Sequence, residues 1–168
     1  ALSSAASDVY KRQKEANNML KYFLDQGLVK YSDKEITDWK EAVAESCQLL
    51  LDKKLIDQSY VDEIIQCVEE HGPYIVIVPK VAMPHSSADS EGVYGTAISF
   101  TKMKRAIQFD QEEKSASLFF TLAAKNLDQH MENIQKLSEL LMIDGLIDRL
   151  ADTDSIEDYR VVMQEYNL

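Results

Sequence analysis

The sequence predicts an α/β fold in which a mixed β-sheet is flanked by helices on both faces. Two amphipathic segments come first, segments rich in β-branched and aromatic residues follow, and further helical segments close the chain. With 168 residues, 45% of them hydrophobic, the chain is long enough to bury one sizeable core. We therefore expect a single domain over residues 19–168.

Residues 1–18 precede this pattern and show no hydrophobic periodicity. They carry three basic and two acidic residues, whereas the whole chain has a formal charge of −11. The shift in composition predicts a leader outside the domain that is disordered or non-native. A native terminal tail is the alternative.

The first amphipathic helix is predicted over about 36–51. Its apolar residues recur every three or four positions and so share one face. Ser32 or Thr37 is the expected N-cap, because a short hydroxyl side chain accepts a hydrogen bond from a free N–H of the first turn. Cys47 falls on the apolar face and is expected to be an inert core residue.

The second helix is predicted over 59–70. Ser59 and Asp62 stand three residues apart and resemble a capping box, and Gly72, followed by proline, ends the helix. Cys67 is expected to be inert core like Cys47. Two cysteines do not make a disulfide framework, which favours a reducing compartment.

Three strands are predicted next. Residues 74–78 are continuously apolar and mostly β-branched, which is typical of a buried strand. Residues 93–103 alternate in polarity, and residues 115–123 form the third apolar run. The polar connection between them has room for a short strand at 106–109.

The closing segment is predicted to be helical. Apolar residues over 131–141 recur at helical spacing, and Gly145 permits a break before a short helix at 146–150. Ser155 is expected to open a last helix.

The charge of −11 and an isoelectric point of about 4.7 bear on the partners. They argue against nucleic acid and anionic membranes, since both are polyanions, and suit docking to a basic patch on another protein. No apolar run approaches the roughly 18 residues that cross a bilayer, and the first residues lack a secretory signal. We expect a cytoplasmic protein without direct membrane insertion.

Three histidines carry most of the candidate chemistry. His71 ends the second helix, where a positive imidazole suits the negative helix terminus, and is expected to be a surface residue. His85 follows a predicted strand in a segment stiffened by Pro79 and Pro84. A loop held by a rigid sheet often carries an active residue; the alternative is a histidine that only hydrogen-bonds a carbonyl group.

His130 lies near the start of a predicted helix and shares a face with Ile134, Leu137 and Leu141. It is either a satisfied core histidine or a second functional imidazole. Free N–H groups and positive potential at a helix start suit an anion. In the functional interpretation, His130 would stabilise a phosphate on a neighbouring histidine.

Other kinds of site are not indicated by the sequence. The histidines and cysteines lack zinc-site spacing, and there is no glycine-rich phosphate loop. Ser86 and Ser87 follow His85 without the glycine frame of a nucleophile elbow. We expect no metal and no cofactor.

The segment GPYIVIVPKVAMPH, which ends at His85, resembles the active-site segment of the enzyme IIA proteins of the bacterial phosphoenolpyruvate:sugar phosphotransferase system (PTS). The resemblance is to the mannitol/fructose superfamily, closest to its ascorbate-type branch. It continues through TAISF, LFFTLAA, DQHMENIQKLSELL and GLIDRLADTDSIED, and covers about residues 19–168.

The resemblance implies a phosphocarrier with an α/β sandwich fold. The phosphohistidine of HPr would donate to Nε2 of His85, which would pass the group to a cysteine of a IIB component that feeds a membrane IIC transporter. His130 matches the second active-site histidine of the family. The hydroxyl groups of Ser86 and Ser87 are candidate phosphate contacts, and a neutral imidazole is a competent nucleophile near pH 7.

The chain departs from the family directly after His85. Residues 86–88 read Ser-Ser-Ala, where ascorbate-type members often have Ala-Arg-Pro. Two other functions stay open beside sugar transport, for which ascorbate is one candidate substrate. One is a IIA-like regulatory domain of a PTS-controlled transcriptional regulator, and the other is a IIA-like interaction protein that has lost phosphotransfer.

Overall fold

The fold is built on one four-stranded mixed sheet. A computed structural model describes residues 3–109 and 114–166. Within these residues the elements, in chain order, are α1 (Ser4–Asp25), β1 (Val29–Tyr31), α2 (Trp39–Asp52), α3 (Gln58–His71), β2 (Lys80–Ala82), β3 (Ala97–Gln108), β4 (Ser115–Ala123), α4 (Leu127–Leu141), α5 (Leu146–Ala151) and α6 (Ile156–Glu165).

The strand order across the sheet is β1-β3-β4-β2. The long strands β3 and β4 pair antiparallel in the centre, and the short strands β1 and β2 pair parallel with β3 and β4 at the two edges. Because β2 and β4 run in the same direction, their carboxyl ends lie at the same end of the sheet. The segments that follow these two strands therefore meet there.

Two apolar cores lie on the two faces of the sheet. Successive residues of a strand point to opposite faces, so Phe119 packs with α2 and α3 while Phe120 packs with α1 and α4–α6. Both phenylalanines are fully buried. The predicted mixed sheet with helices on both faces is confirmed.

The strand predicted over 74–78 is wrong. The N–H of Tyr74 donates to the carbonyl of Gly72, and the N–H of Val76 donates to that of Pro73, so this backbone forms turns instead of a ladder. Gly72 has a φ of 81°, which allows the chain to turn sharply before the proline. Ile75 is buried beneath the turn, and the edge strand β2 begins only at Lys80.

The strands predicted over 93–103 and 106–109 are one element. Strand β3 spans Ala97–Gln108, and its pairing with β4 shifts register between Lys102 and Ile107. Such a bulge keeps one strand continuous across a polar stretch. Strand β4 has the predicted bounds, whereas the three-residue β1 was not predicted.

The helix caps differ from the predicted ones in α2 and α3. Asp38 caps α2 in place of Ser32 or Thr37, and Asp57 caps α3 in place of Ser59. An aspartate accepts the same N–H hydrogen bond as a serine, with an added favourable charge at the positive helix start. Ser155 caps α6 as predicted.

The leader predicted over 1–18 coincides largely with α1. The structure describes residues 4–18 as the first part of this helix, and a disordered or non-native leader stays a prediction. The later part of α1 anchors the helix, since Leu20 and Phe23 are fully buried against the sheet. Ala1 and Leu2 lie outside the described residues. Within the described ranges, none of the helices is both long and apolar enough to cross a bilayer.

Candidate functional site

His85 lies just beyond the carboxyl end of β2, on backbone that is fixed from two sides. The N–H of Met83 donates to the carbonyl of Ile75 at 2.8 Å, and the N–H of Leu122 donates to the carbonyl of Pro84 at 3.0 Å. The chain therefore stays pinned to β4 and to the preceding turn until the residue before His85. Backbone that is hydrogen-bonded on both sides in this way fixes the position from which the His85 side chain extends.

The imidazole of His85 is oriented by its own loop. Its Nδ1 lies 2.5 Å from the carbonyl oxygen of Met83. A carbonyl oxygen only accepts hydrogen bonds, so Nδ1 carries the proton in this pair. In the neutral ring this leaves the lone pair on Nε2, which makes Nε2 the nucleophilic atom.

Tyr74 holds the same residue from the turn before β2. Its hydroxyl group donates a hydrogen bond to the backbone carbonyl of His85, and its ring stands edge-on to the imidazole at a centroid distance of 5.3 Å. Burial raises the pKa of Tyr74, so the hydroxyl remains a donor over the physiological range. The apolar run predicted as a strand thus supplies a support for the histidine.

His130 approaches from the first turns of α4. The ring centroids of His85 and His130 are 5.6 Å apart, with the planes tilted by 45°. Asn126 caps α4 by accepting the N–H of Gln129 at 2.9 Å, and its own carbonyl accepts the N–H of His130 at 3.0 Å. The helix start that follows β4 thus places a second imidazole beside the one that follows β2.

Both imidazoles favour the neutral state. Burial lowers the pKa of His85, the hydrogen bond to Met83 opposes this, and the neighbouring His130 lowers it further. Burial also lowers the pKa of His130, which is more exposed. Since an ordinary imidazole has a pKa of about 6.5, both rings are neutral at pH 7, and His85 is then available as a nucleophile.

These side chains open on a cavity of about 420 Å³. One wall is a face of α3, because Glu63, Cys67 and His71 are spaced by four residues and point the same way. The cavity is completed by residues of the turn, the loop and α4: Tyr74, His85, Ser86, Ser87 and His130. Sequence analysis missed Glu63, Cys67, His71 and Tyr74, although the spacing of the first three was visible in the sequence.

Cys67 is only half-buried and lines this cavity, so its prediction as inert core is wrong. Its sulfur lies 3.6 Å from the Ser86 hydroxyl oxygen. Cys47 is fully buried as predicted, and burial raises its pKa to about 12. The two cysteines look alike in sequence because both fall on helical faces with apolar neighbours, but the face of Cys67 borders an opening.

The two serines after His85 have different surroundings. Ser86 is buried, and its N–H donates to the hydroxyl oxygen of Tyr60 at 3.2 Å, which in turn donates to the carbonyl of Leu122 at 2.7 Å. Ser87 is exposed, with its hydroxyl oxygen 3.4 Å from that of Ser90. The N–H of Ser86 is thus engaged with the fold, whereas the Ser87 hydroxyl lies at the cavity rim.

Comparison with known families gives this arrangement a context. The family model for "Phosphoenolpyruvate-dependent sugar phosphotransferase system, EIIA 2" matches residues 22–165, most of the chain. This chain belongs to the PTS enzyme IIA family. As a IIA component it is a phosphocarrier enzyme of that transport system, and the match includes both His85 and His130.

Relatives of this IIA protein are named for two different substrates, mannitol and ascorbate. It is 34% identical over 118 residues to the mannitol-specific cryptic phosphotransferase enzyme IIA component of Escherichia coli K12, covering 70% of this chain and 80% of the relative. It is 31% identical over 118 residues to the ascorbate-specific PTS EIIA component of Shigella boydii, covering 69% and 76%.

Solved IIA structures share the fold. A PTS IIA protein from Streptococcus mutans has a TM-score of 0.75 at 26% identity, covering 87% of this chain and 92% of that one. The E. coli mannitol IIA, in its complex with phosphorylated IIB, has a TM-score of 0.68 at 19% identity, covering 82% and 94%. The second likeness concerns the fold alone.

Proposed function

We propose that His85 accepts a phosphoryl group from the phosphohistidine of HPr and passes it to a cysteine of a IIB component. One observation carries this proposal. The Nδ1 atom of His85 is bound to the Met83 carbonyl, which leaves the Nε2 of a neutral imidazole as the reactive atom of a residue that lines an open cavity.

The transfer needs only an exchange of N–P bonds. The Nε2 lone pair attacks phosphorus, an N–P bond forms on His85, and the N–P bond on the donor histidine breaks with its electrons returning to the donor imidazole. The proton stays on Nδ1 throughout, hydrogen-bonded to the Met83 carbonyl. In the second step a IIB thiolate attacks phosphorus and His85 regains its neutral ring. Catalysis of such a loose, in-line transfer consists mainly of positioning and charge stabilisation.

His130 and Ser87 are the proposed stabilising groups. With ring centroids 5.6 Å apart, the His130 imidazole is close enough to the His85 ring to hydrogen-bond a phosphoryl group carried on it. The Ser87 hydroxyl at the rim is a further donor. Ser86, a predicted phosphate contact, retains that role only through its hydroxyl, since its N–H is held by Tyr60.

The partners follow from the same role. We infer that the protein acts in the cytoplasm, where it binds HPr and a IIB component and serves a IIC transporter indirectly. The E. coli mannitol IIA that shares this fold has been solved with phosphorylated IIB. The names of the relatives point to mannitol or ascorbate as the sugar, and transfer assays with a IIB of each type distinguish the two.

Phosphorylation by purified components tests the proposal. Incubation with enzyme I, HPr and phosphoenolpyruvate, followed by intact-mass measurement, is expected to add one acid-labile phosphoryl group. The variant His85→Ala should take up none. A variant His130→Ala should still be labelled but should pass the group to IIB more slowly.

Three outcomes would contradict all or part of this proposal. Normal labelling of His85→Ala would exclude His85 as the acceptor. A wild-type protein that is never labelled would instead favour an interaction protein without phosphotransfer. Equal rates of onward transfer for wild type and His130→Ala would remove the role of His130 while leaving that of His85.

A further inference from the structure

All three histidines of the chain line the same cavity. His71, expected to be a surface residue, comes from the end of α3, His85 from the loop after β2, and His130 from α4. Among the residues described, no lysine or arginine lines this cavity, and Glu63 contributes a carboxylate. The site thus has no permanent positive charge in its wall.

A phosphoryl group on His85 creates a charge problem in such a site. A phosphoryl monoanion or dianion on His85 would share this cavity with the Glu63 carboxylate, and like charges in one cavity repel each other unless a cation is nearby. The side chains that can become cationic here are imidazoles, and His85 itself is occupied by the bond to phosphorus. Among the side chains of the wall, a full balancing charge can therefore come from His71 or His130, beside the partial positive charge at the start of α4.

We propose that His71 is a third imidazole of the phosphoryl site and that it takes up a proton when His85 is phosphorylated. This rests on the proposed phosphorylation of His85 and specifies how the bound group is stabilised. Phosphorylation is then linked to proton uptake, so that the protein holds its phosphoryl group more tightly at lower pH.

The position of His71 suits a proton acceptor better than that of His130. Its side chain is 69% exposed, so charging it costs little desolvation. It lies in the last turn of α3, where the carbonyl ends of the helix favour a cation. Burial lowers the pKa of His130, which disfavours the charged state there.

The other titratable groups around His71 come from α3, the turn before β2, the loop after β2 and α4, and they include two carboxylates. On α3 the Glu70 carboxylate lies 4.0 Å from the His71 Nε2 atom, and the Glu63 carboxylate accepts a hydrogen bond from the Ser90 hydroxyl. The remaining groups on the cavity wall are Cys67, Tyr74, His85 and His130. Phosphorylation of His85 would add negative charge to a set that already holds these two carboxylates.

The test is the pH dependence of the phosphoryl equilibrium between HPr and this protein. It is measured from pH 5.5 to 8.5 for wild type, His71→Gln and His71→Arg, and each variant is expressed relative to wild type at the same pH. The contribution of HPr then cancels. At low pH we expect His71→Gln to hold the phosphoryl group on the order of three- to tenfold more weakly, approaching wild type at high pH. We expect His71→Arg to hold it more tightly than wild type at high pH.

Glu69→Gln is the matched control. It changes the net charge by the same amount as His71→Arg at a position two residues away, but Glu69 pairs with Lys40 and does not line the cavity. Its profile should follow that of wild type. If the profiles of wild type, His71→Gln and His71→Arg coincide while His85 is still labelled, the inference about His71 is wrong and the proposed function stands. Loss of labelling in wild type would overturn the proposed function instead.

Discussion

The hydroxyl group of Tyr74 donates a hydrogen bond to the backbone carbonyl of His85, and the tyrosine ring stands edge-on to the imidazole at 5.3 Å. Tyr74 lies in the turn that follows Gly72 and Pro73, so one side chain links the end of α3 to the loop that carries His85. The same turn also holds the start of this loop, because the Ile75 carbonyl accepts the N–H of Met83.

The variant Tyr74→Phe tests this coupling. It keeps the ring contact but leaves the partly buried carbonyl of His85 without its donor, which should lower the free energy of unfolding by about 1–3 kcal/mol. Because the carbonyl belongs to His85 itself, phosphoryl acceptance should also slow. Chemical denaturation and the initial rate of labelling by phosphorylated HPr measure the two effects.

Tyr94→Phe is the control for removal of a tyrosine hydroxyl. The Tyr94 hydroxyl donates to the Asp57 carboxylate at 2.6 Å on an exposed surface away from the cavity wall. Its loss should leave the labelling rate unchanged. Equal labelling rates for wild type and Tyr74→Phe would show that the hydrogen bond supports only stability.

The lowered pKa of His85 predicts a pH dependence of stability. Burial favours the neutral ring in the folded state, whereas the unfolded chain titrates at about pH 6.5. The unfolded state therefore binds more protons as the pH falls below this value. The stabilising contribution is complete above pH 6.5 and is lost as the pH falls through the folded pKa.

Urea denaturation at pH 5 to 8 measures this effect. The free energy of unfolding of wild type should decrease below about pH 6.5, and His85→Gln should show a smaller decrease, since glutamine does not titrate. His130 contributes in the same direction but less, because it is more exposed. A decrease of the same size in His85→Gln would place the titrating group elsewhere.

Much of the site was predictable because its residues follow elements with clear patterns. His85 and His130 each lie a few residues beyond the end of a strand, and the parallel pairing of β2 and β4 brings such positions together. Tyr74 was misplaced because a continuous apolar run looks the same in a buried strand and in a turn with its side chains buried. Only the hydrogen bonds to Gly72 and Pro73 distinguish the two.

The wall formed by α3 was missed for a different reason. Glu63, Cys67 and His71 share a helical face, but periodicity alone does not tell whether a mixed face meets a core, solvent or a cavity. The answer depends on the loop over 83–90, which packs against α3 from a distant part of the chain. Long-range contacts of this kind leave no local signal in one sequence.

Selective alkylation of Cys67 is a further prediction. Cys67 is half-buried at the cavity, while Cys47 is fully buried with its pKa raised to about 12, so N-ethylmaleimide should modify Cys67 alone in the folded protein. The adduct would occupy the space beside His85, and phosphoryl acceptance should be lost. Mass spectrometry of the labelled protein measures both events.

The variant Cys67→Ser distinguishes the effect of the bulky adduct from any requirement for the thiol itself. This variant should accept the phosphoryl group and should remain active after the same treatment, because the hydroxyl group is not alkylated. An alkylated wild-type protein that is phosphorylated at the normal rate would show that the cavity wall at Cys67 does not border the path of the phosphoryl group.

The segment that follows the His85 loop should tolerate substitution at one glycine and not at another. A Cβ atom on Gly92 would lie 2.8 Å from the backbone nitrogen of Tyr60 and 2.6 Å from the Asp57 carboxylate oxygen, both at the start of α3. A Cβ atom on Gly95 would meet only the end of the Leu55 side chain, at 2.5 Å. A side chain can rotate away, whereas helix backbone has to shift as a unit.

Gly92→Ala should therefore lower the free energy of unfolding by about 1–3 kcal/mol, and Gly95→Ala by less than about 1 kcal/mol. Gly92→Ala should also slow phosphoryl acceptance, because the displaced Tyr60 holds the N–H of Ser86, the residue after His85. Thermal denaturation and HPr-dependent labelling of the two variants measure these effects. If both variants lose stability equally while labelling stays normal, the first turn of α3 shifts without moving the loop that carries His85, and Tyr60 does not connect the two.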